Sequence, residues 1–234
     1  MDIILKPKPL TKLFVFIIIF LTVAHIIGQW ASLYFGLEGE HKPIVVWFDL
    51  DEELNFPSYY STVSLLFCSS LLAVIAFAKR KNDERCLYWF GLAIIFLFLS
   101  MDESIGLHES LKSKVQIALN TSESFHSAWV IPYSIGLIIF LLAYVRFVFN
   151  LPAKTRILFL IAGAVYVAGA IGMELIRECY SNCYDDNITV VIAIITVEEL
   201  LEMTGIVIFI YTLMSYIDSE LKDLRISIKS SSLL

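Results

Sequence analysis

Apolar residues fall into six runs of about 20, roughly 13–35, 59–78, 87–107, 128–149, 157–176 and 189–217, separated by short polar stretches. A helix of about 20 residues is what crosses the ~30 Å hydrocarbon layer of a bilayer. Transmembrane β-strands would be only ~10 residues long and would alternate apolar with polar positions. The pattern therefore predicts an all-α polytopic membrane protein with six transmembrane helices. They would form a single bundle over 1–217, followed by a short tail, 218–234. The first run follows Lys6, Lys8 and Lys12, as in a signal peptide. It is longer than a signal's apolar core, however, and no A-x-A-like site follows, so an uncleaved anchor is expected.

Composition agrees with this reading. Hydrophobic residues make up 58% of the chain, and charged residues only 17% against ~25% in soluble domains. Mean hydropathy is +0.77. The formal charge of −6 matters less than where the charges fall. With a cytoplasmic N-terminus, the inner segments hold Lys6, Lys8, Lys12, Lys79, Arg80, Lys81, Arg85, Arg146, Lys154, Arg156, Lys222, Arg225 and Lys229, 13 of the 17 basic residues. Only Lys42, Lys112, Lys114 and Arg177 fall outside. This alternation predicts that both termini are cytoplasmic. The inner connections are too short for a domain and contain no phosphate-binding glycine loop. The bilayer is the expected partner, and nucleic acid is not.

The outer segments carry more chemistry. The first, 36–58, sets Glu38, Glu40, Asp49, Asp51, Glu52 and Glu53 around an apolar patch at 44–48. That composition suits a segment lying on the membrane surface, with Trp47, Phe48, Tyr59 and Tyr60 at headgroup level. Cys179 and Cys183, between the last two spans, are candidates for a disulfide. Four residues apart in a helical turn, they would bond only with distortion. Cys68 and Cys86 read as packing residues, as does His25 in the first span. His41 is expected to be solvated.

Acidic residues also occur inside the spans. The third ends in Ser100-Met101-Asp102-Glu103-Ser104-Ile105-Gly106-Leu107-His108-Glu109. On a continuous helix Asp102 and Glu109 would share a face, and Ser104 and His108 another. The fifth span carries Glu174, then Arg177 and Glu178, with Arg177 placed to neutralise one of these glutamates. The sixth carries Glu198, Glu199 and Glu202. The topology brings all of them to the outer half of the membrane. A charge at the bilayer centre costs roughly 2.5–3.5 kcal/mol, so these groups should face the bundle interior. They form a candidate site for a divalent metal: Asp102, Glu103, His108, Glu109, Glu174, Glu198, Glu199 and Glu202, with His126 and Asn55 as secondary candidates. Such donors suit Mg²⁺, Mn²⁺ or Ca²⁺, or a helix-borne di-iron or zinc centre. Neither a His-Glu-x-x-His nor a Gly-x-Ser-x-Gly motif is present.

Two stretches look familiar. Asn55-Phe56-Pro57-Ser58-Tyr59-Tyr60-Ser61, behind the acids 49–53, resembles an N-x-P-[ST]-aromatic opening of a second span. Residues 100–109 resemble an S-x-D-E-x4-H-E pattern. Both resemble an uncharacterised group of bacterial polytopic membrane proteins. The resemblance implies a bacterial inner-membrane location and no particular activity. The chain is also similar, more distantly, to alkaline ceramidase and related seven-helix hydrolases, which place Ser, Asp and His at a zinc centre. It has too few histidines and no His-x-x-x-His in its last span for that likeness to extend further.

Three functional classes follow. One is a metal-dependent enzyme acting on a lipid or lipid-linked substrate at the outer leaflet, with a glutamate as general base. Another is a cation or proton pathway, disfavoured by the apolar inner halves of the third to fifth spans. The last is a non-catalytic subunit or sensor. For it, the stripe Ala164, Ala168 and Gly172 on the fifth span offers a surface for packing within the chain or for a homo- or hetero-oligomer.

Overall fold

The structure, a computed structural model, describes residues 7–36, 45–80, 86–119, 127–184 and 187–221. These are helical, with no strand among the described residues: α1 (Pro7–Phe35), α2 (Phe56–Lys79), α3 (Cys86–Ile105), α4 (Leu107–Leu119), α5 (Val130–Phe149), α6 (Ala153–Val167), a π-helical segment (Ala168–Met173), α7 (Glu174–Cys183) and α8 (Ile188–Glu220). Five helical stretches are long and apolar enough to cross a membrane: α1, α2, α3, α5 and the run Ala153–Cys183 that joins α6, the π segment and α7. The expected sixth span lies within α8, a helix of 33 residues.

α8 packs against α1, α2, α6, the π segment and α7. Its second half is apolar on nearly every side, as a helix surrounded by others must be. Met203, Ile206, Val207, Phe209, Ile210, Leu213 and Met214 are all buried. Around them gathers the main core, with Leu72, Ile75, Trp89 and Phe159. Two glycines permit the close contact of α6 and its π continuation with α8. A Cβ on Gly205 would come within 2.8 Å of Tyr166 N, and one on Gly169 within 2.8 Å of Glu198 O. Of the expected small-residue stripe, Ala164 and Ala168 are exposed. The tight intramolecular contact falls instead on the neighbouring Ala162 and Gly169, both buried.

α2 and α3 form an antiparallel hairpin tied by hydroxyls that donate across it. Ser69 Oγ reaches Ala93 O (2.8 Å) and Ser100 Oγ reaches Thr62 O (2.9 Å), satisfying polar groups that lipid cannot. α5 is peripheral, with only Val130 and Phe147 buried. At one end Phe147 packs on Tyr88 and Trp89. Toward that same end of the bundle Lys79, Lys154 and Arg156 lie over the rings of Tyr216, Tyr211 and Phe149.

The third span departs from expectation. The hydropathy pattern predicts a straight helix through Leu107, but Gly106 takes φ +59° and ends α3, a left-handed turn that glycine adopts without steric cost. The chain restarts as α4. Asp102 and Glu109 therefore lie on different helices and share no common face, and neither do Ser104 and His108. Cys179 and Cys183 are free and exposed. Both lie on α7, four residues apart.

Candidate functional site

The 45–55 segment, itself acidic, folds back against the end of α1 and the start of α2. Asn55 caps α2 by accepting from Ser58 N (3.1 Å), and its amide donates to Val46 O (3.0 Å) and Asp49 O (2.5 Å). Its side chain is thus committed to closing this turn, with Pro57 in the first helical turn where a missing N–H costs nothing. His25, buried at 2% exposure, accepts at Nδ1 from Leu50 N (3.0 Å), in keeping with a packing role. Asp49 Oδ1 stands 3.3 Å from the same nitrogen, and Gln29 donates to Asp49 Oδ2 (2.7 Å). Burial alone would raise the Asp49 carboxyl, but His25, the Asp51 N–H and Gln29 together hold it below the usual carboxylate range.

Beyond this turn opens a cleft of about 1340 Å³ between α3, α5, α6, the π segment, α7 and α8. One end is apolar and aromatic, walled by Leu92, Phe96, Phe140, Tyr144, Phe159 and Phe209. The other end is lined by ten acidic residues, against Arg177, Lys112 and His108, so its field is strongly negative. Three groupings of side chains make up this polar end.

The first centres on Asp102, which is buried. Its Oδ2 accepts from Tyr133 Oη of α5 (2.7 Å), and its Oδ1 accepts from His108 N (2.9 Å). A carboxylate at the start of α4 suits the unpaired N–H groups and positive dipole end there. His108 Nδ1 lies 3.3 Å from Asp102 Oδ1 and Nε2 lies 4.0 Å from Glu53. Burial alone would lower the His108 pKa, yet Asp102, with Glu53 and Glu103, holds it above the ordinary imidazole value. The His108 ring also lies 5.0 Å from that of Trp129, so Asp102 and His108 together fasten the α3–α4 corner to the start of α5.

The second grouping is a closed network. Ser127 Oγ contacts Glu174 Oε1 (2.8 Å) and Glu178 Oε2 (3.0 Å), and Ser127 N donates to Glu178 Oε2 (3.1 Å). Arg177 pairs with Glu174, as expected, and its other arm donates to Asp51 Oδ1 (2.8 Å). Asn182 donates to Glu178 Oε1 (2.9 Å). Glu174 is therefore a paired, buried link between α7, the start of α5 and the 45–55 segment.

The third grouping is different. Glu198, Glu199 and Glu202 of α8 and Glu103 of α3 line the cleft and lie within one another's electrostatic reach. No hydrogen bond or ion pair among the described residues reaches the carboxyls of Glu198, Glu199 or Glu202, and Glu198 Oε2 is a buried acceptor without a partner. Gly169 of the π segment seats this set. A Cβ there would stand 2.9 Å from Glu202 Cγ and 3.0 Å from Glu202 N, and π-helical insertions recur at functional sites.

The structure thus brings Asp102, Glu103, His108, Glu174, Glu198, Glu199 and Glu202 to one cleft. Glu109 lies on α4 and is placed by its backbone alone, and His126 is outside the described residues. Among the described residues no group of three His, Cys, Asp or Glu side chains stands close enough to hold a metal ion; the acids are spread around the walls. Tyr133, Ser127, Trp129 and Gly169 were not anticipated. Their partners lie across helices, and nothing in the linear pattern marks them.

A helical chain with five bilayer-length apolar stretches, and its acids gathered at one end of an interhelical cleft, is a multi-pass membrane protein. More particularly, it belongs to the family described as domain of unknown function DUF8692, which matches residues 13–217. No curated protein and no solved structure matches the chain.

Proposed function

We propose that this chain is a six-span protein of the bacterial inner membrane, with both ends cytoplasmic, whose cleft binds a lipid or lipid-linked molecule from the outer leaflet. α8 supplies the sixth span, and the basic residues of the short connections supply the orientation. The observation that carries the reading is the amphiphilic cleft, acidic at one end and apolar along the rest. A lipid has the same polarity sequence, headgroup then chain. Ligand sites of this kind combine an apolar lining with a few polar groups that fix orientation. α5 is fastened at its two ends, by Tyr133 to Asp102 and by Phe147 to Tyr88 and Trp89. Between them Gly136 is open, and a methyl added there would meet nothing within 4 Å, which leaves a lateral way in from the bilayer. The aromatic lining of the other end gives an ion no polar stations, so transport is less well supported.

The test is native mass spectrometry of the chain purified in mild detergent. It should retain a lipid that an unrelated six-span control does not, and Leu137→Trp, which fills the slot, should release it. Retention no greater than the control's, or unaffected by Leu137→Trp, would overturn the proposal.

A further inference from the structure

We infer that the headgroup end of the cleft selects an amphiphile bearing a primary amine, held as an ammonium ion by Glu198, Glu199 and Glu202; this rests on the lipid-cleft reading. Of the carboxyl groups in the cleft, those of Glu174, Glu178 and Asp102 are already served by Ser127, Arg177, Asn182, Tyr133 and His108. The α8 trio is not. Glu198 is 7% exposed, and its Oε2 is buried without a donor, which in a low-dielectric site is a costly state for a carboxyl oxygen. The nearby cation, Arg177, makes its ion pairs with Asp51 and Glu174 and acts on Glu198 only through space, without donating to it. Lys112 and His108 also line the cleft, on α4, and neither forms an ion pair with the trio among the described residues.

The missing element is a positive charge that can donate hydrogen bonds in several directions. A primary ammonium carries three N–H donors and no acceptor, so it can serve the unpartnered Glu198 Oε2 and turn its remaining donors toward Glu199 and Glu202, which share two adjacent turns of α8 with it. An anionic headgroup would meet like charge, and a neutral hydroxyl would leave the negative field of the site uncompensated. The apolar wall continues away from the trio, so the amine should carry a long hydrocarbon chain.

The experiment is thermal unfolding of the full chain in a maltoside detergent with added single-chain probes of equal length: dodecylamine, dodecanol and dodecyl phosphate, with ethanolamine and MgCl₂, CaCl₂ or ZnCl₂ alone as chain-free cations. Dodecylamine should raise Tm most. Its apparent affinity should fall about tenfold in Glu198→Gln and in Glu199→Gln, the size expected for losing one charged partner. Ethanolamine should be much weaker than dodecylamine. Glu220→Gln, at the far end of α8, should respond as the unaltered chain and controls for the loss of a charge. Equal response to dodecanol, or undiminished dodecylamine affinity in both glutamine variants, overturns the amine inference and leaves the lipid cleft standing. A metal salt that reproduces the shift while dodecylamine does not overturns it in favour of a metal site. No response to any chain-bearing probe removes the lipid-cleft reading as well.

Discussion

Replacing Gly169 by alanine tests how the π segment seats the acids of α8. The added Cβ would lie 2.8 Å from Glu198 O, 2.9 Å from Glu202 Cγ and 3.0 Å from Glu202 N. Two of these three atoms are backbone, so the methyl cannot be relieved by turning a side chain. The π segment and α8 must separate by a few tenths of an ångström or more, against the packing of Ala162, Tyr166 and Gly205 just below. Overpacking of this kind costs about 1–3 kcal/mol. The gain from replacing a helical glycine, about 1 kcal/mol in water, offsets part of it, and less in a membrane where the helix persists on unfolding. Gly163→Ala, on the same helix with nothing within 4 Å of its Cβ, is the control. Equilibrium unfolding in mixed micelles should show Gly169→Ala less stable by about 1–2 kcal/mol and Gly163→Ala unchanged within about 0.5 kcal/mol. Gly169→Ala should also weaken alkylamine binding, because Glu198 and Glu202 move with the backbone. Equal stability of the two variants would refute the close approach.

Tyr133→Phe removes the hydroxyl that donates to Asp102 at 2.7 Å. A hydrogen bond to a charged group contributes about 1.5–3 kcal/mol, so amide exchange at the start of α5 should quicken while α2 exchanges as before. Asn55→Ala deletes a cap and leaves Val46 O and Asp49 O without their donor. The cap alone is worth about 1 kcal/mol, so unfolding should show a loss of about 2 kcal/mol, with α2 fraying at Phe56. Asp49, held below its usual range in the folded chain, contributes stability that is present above its unfolded value of about 3.9. It is lost as pH falls through the lower folded value. The Tm difference between the unaltered chain and Asp49→Asn should therefore be constant near neutrality and shrink in acid.

The spans were legible because a bilayer-length apolar run has few other uses. The convergence of Glu174, Glu198, Glu199 and Glu202 could also be read, since topology alone carries them to one end. What failed was local. Gly106 breaks a helix that hydropathy continues through Leu107, and the face shared by Asp102 and Glu109 vanished with it. That glycine was visible in the sequence, but whether it takes a positive φ depends on Asp102 and Glu53 closing around the corner. The π segment left no trace in the pattern, because Gly169 is marked as a contact residue only once α8 lies against it. Tyr133 and Ser127 look like ordinary residues at the start of a span until α3 and α7 are set beside them. The cleft was least legible of all. It exists because α5 stands apart from α8 between its two anchors, a matter of packing between elements distant in the chain.

An amphiphile seated between α3, α5 and α8, with its headgroup at the acids, should be visible directly. Electron cryomicroscopy of the chain in lipid nanodiscs is the test. One elongated density is expected, running from Glu199 and Glu202 along Leu137 and Phe140 to Tyr144. A map in which α5 closes onto α3 and α8, with protein side chains filling that space, would contradict it.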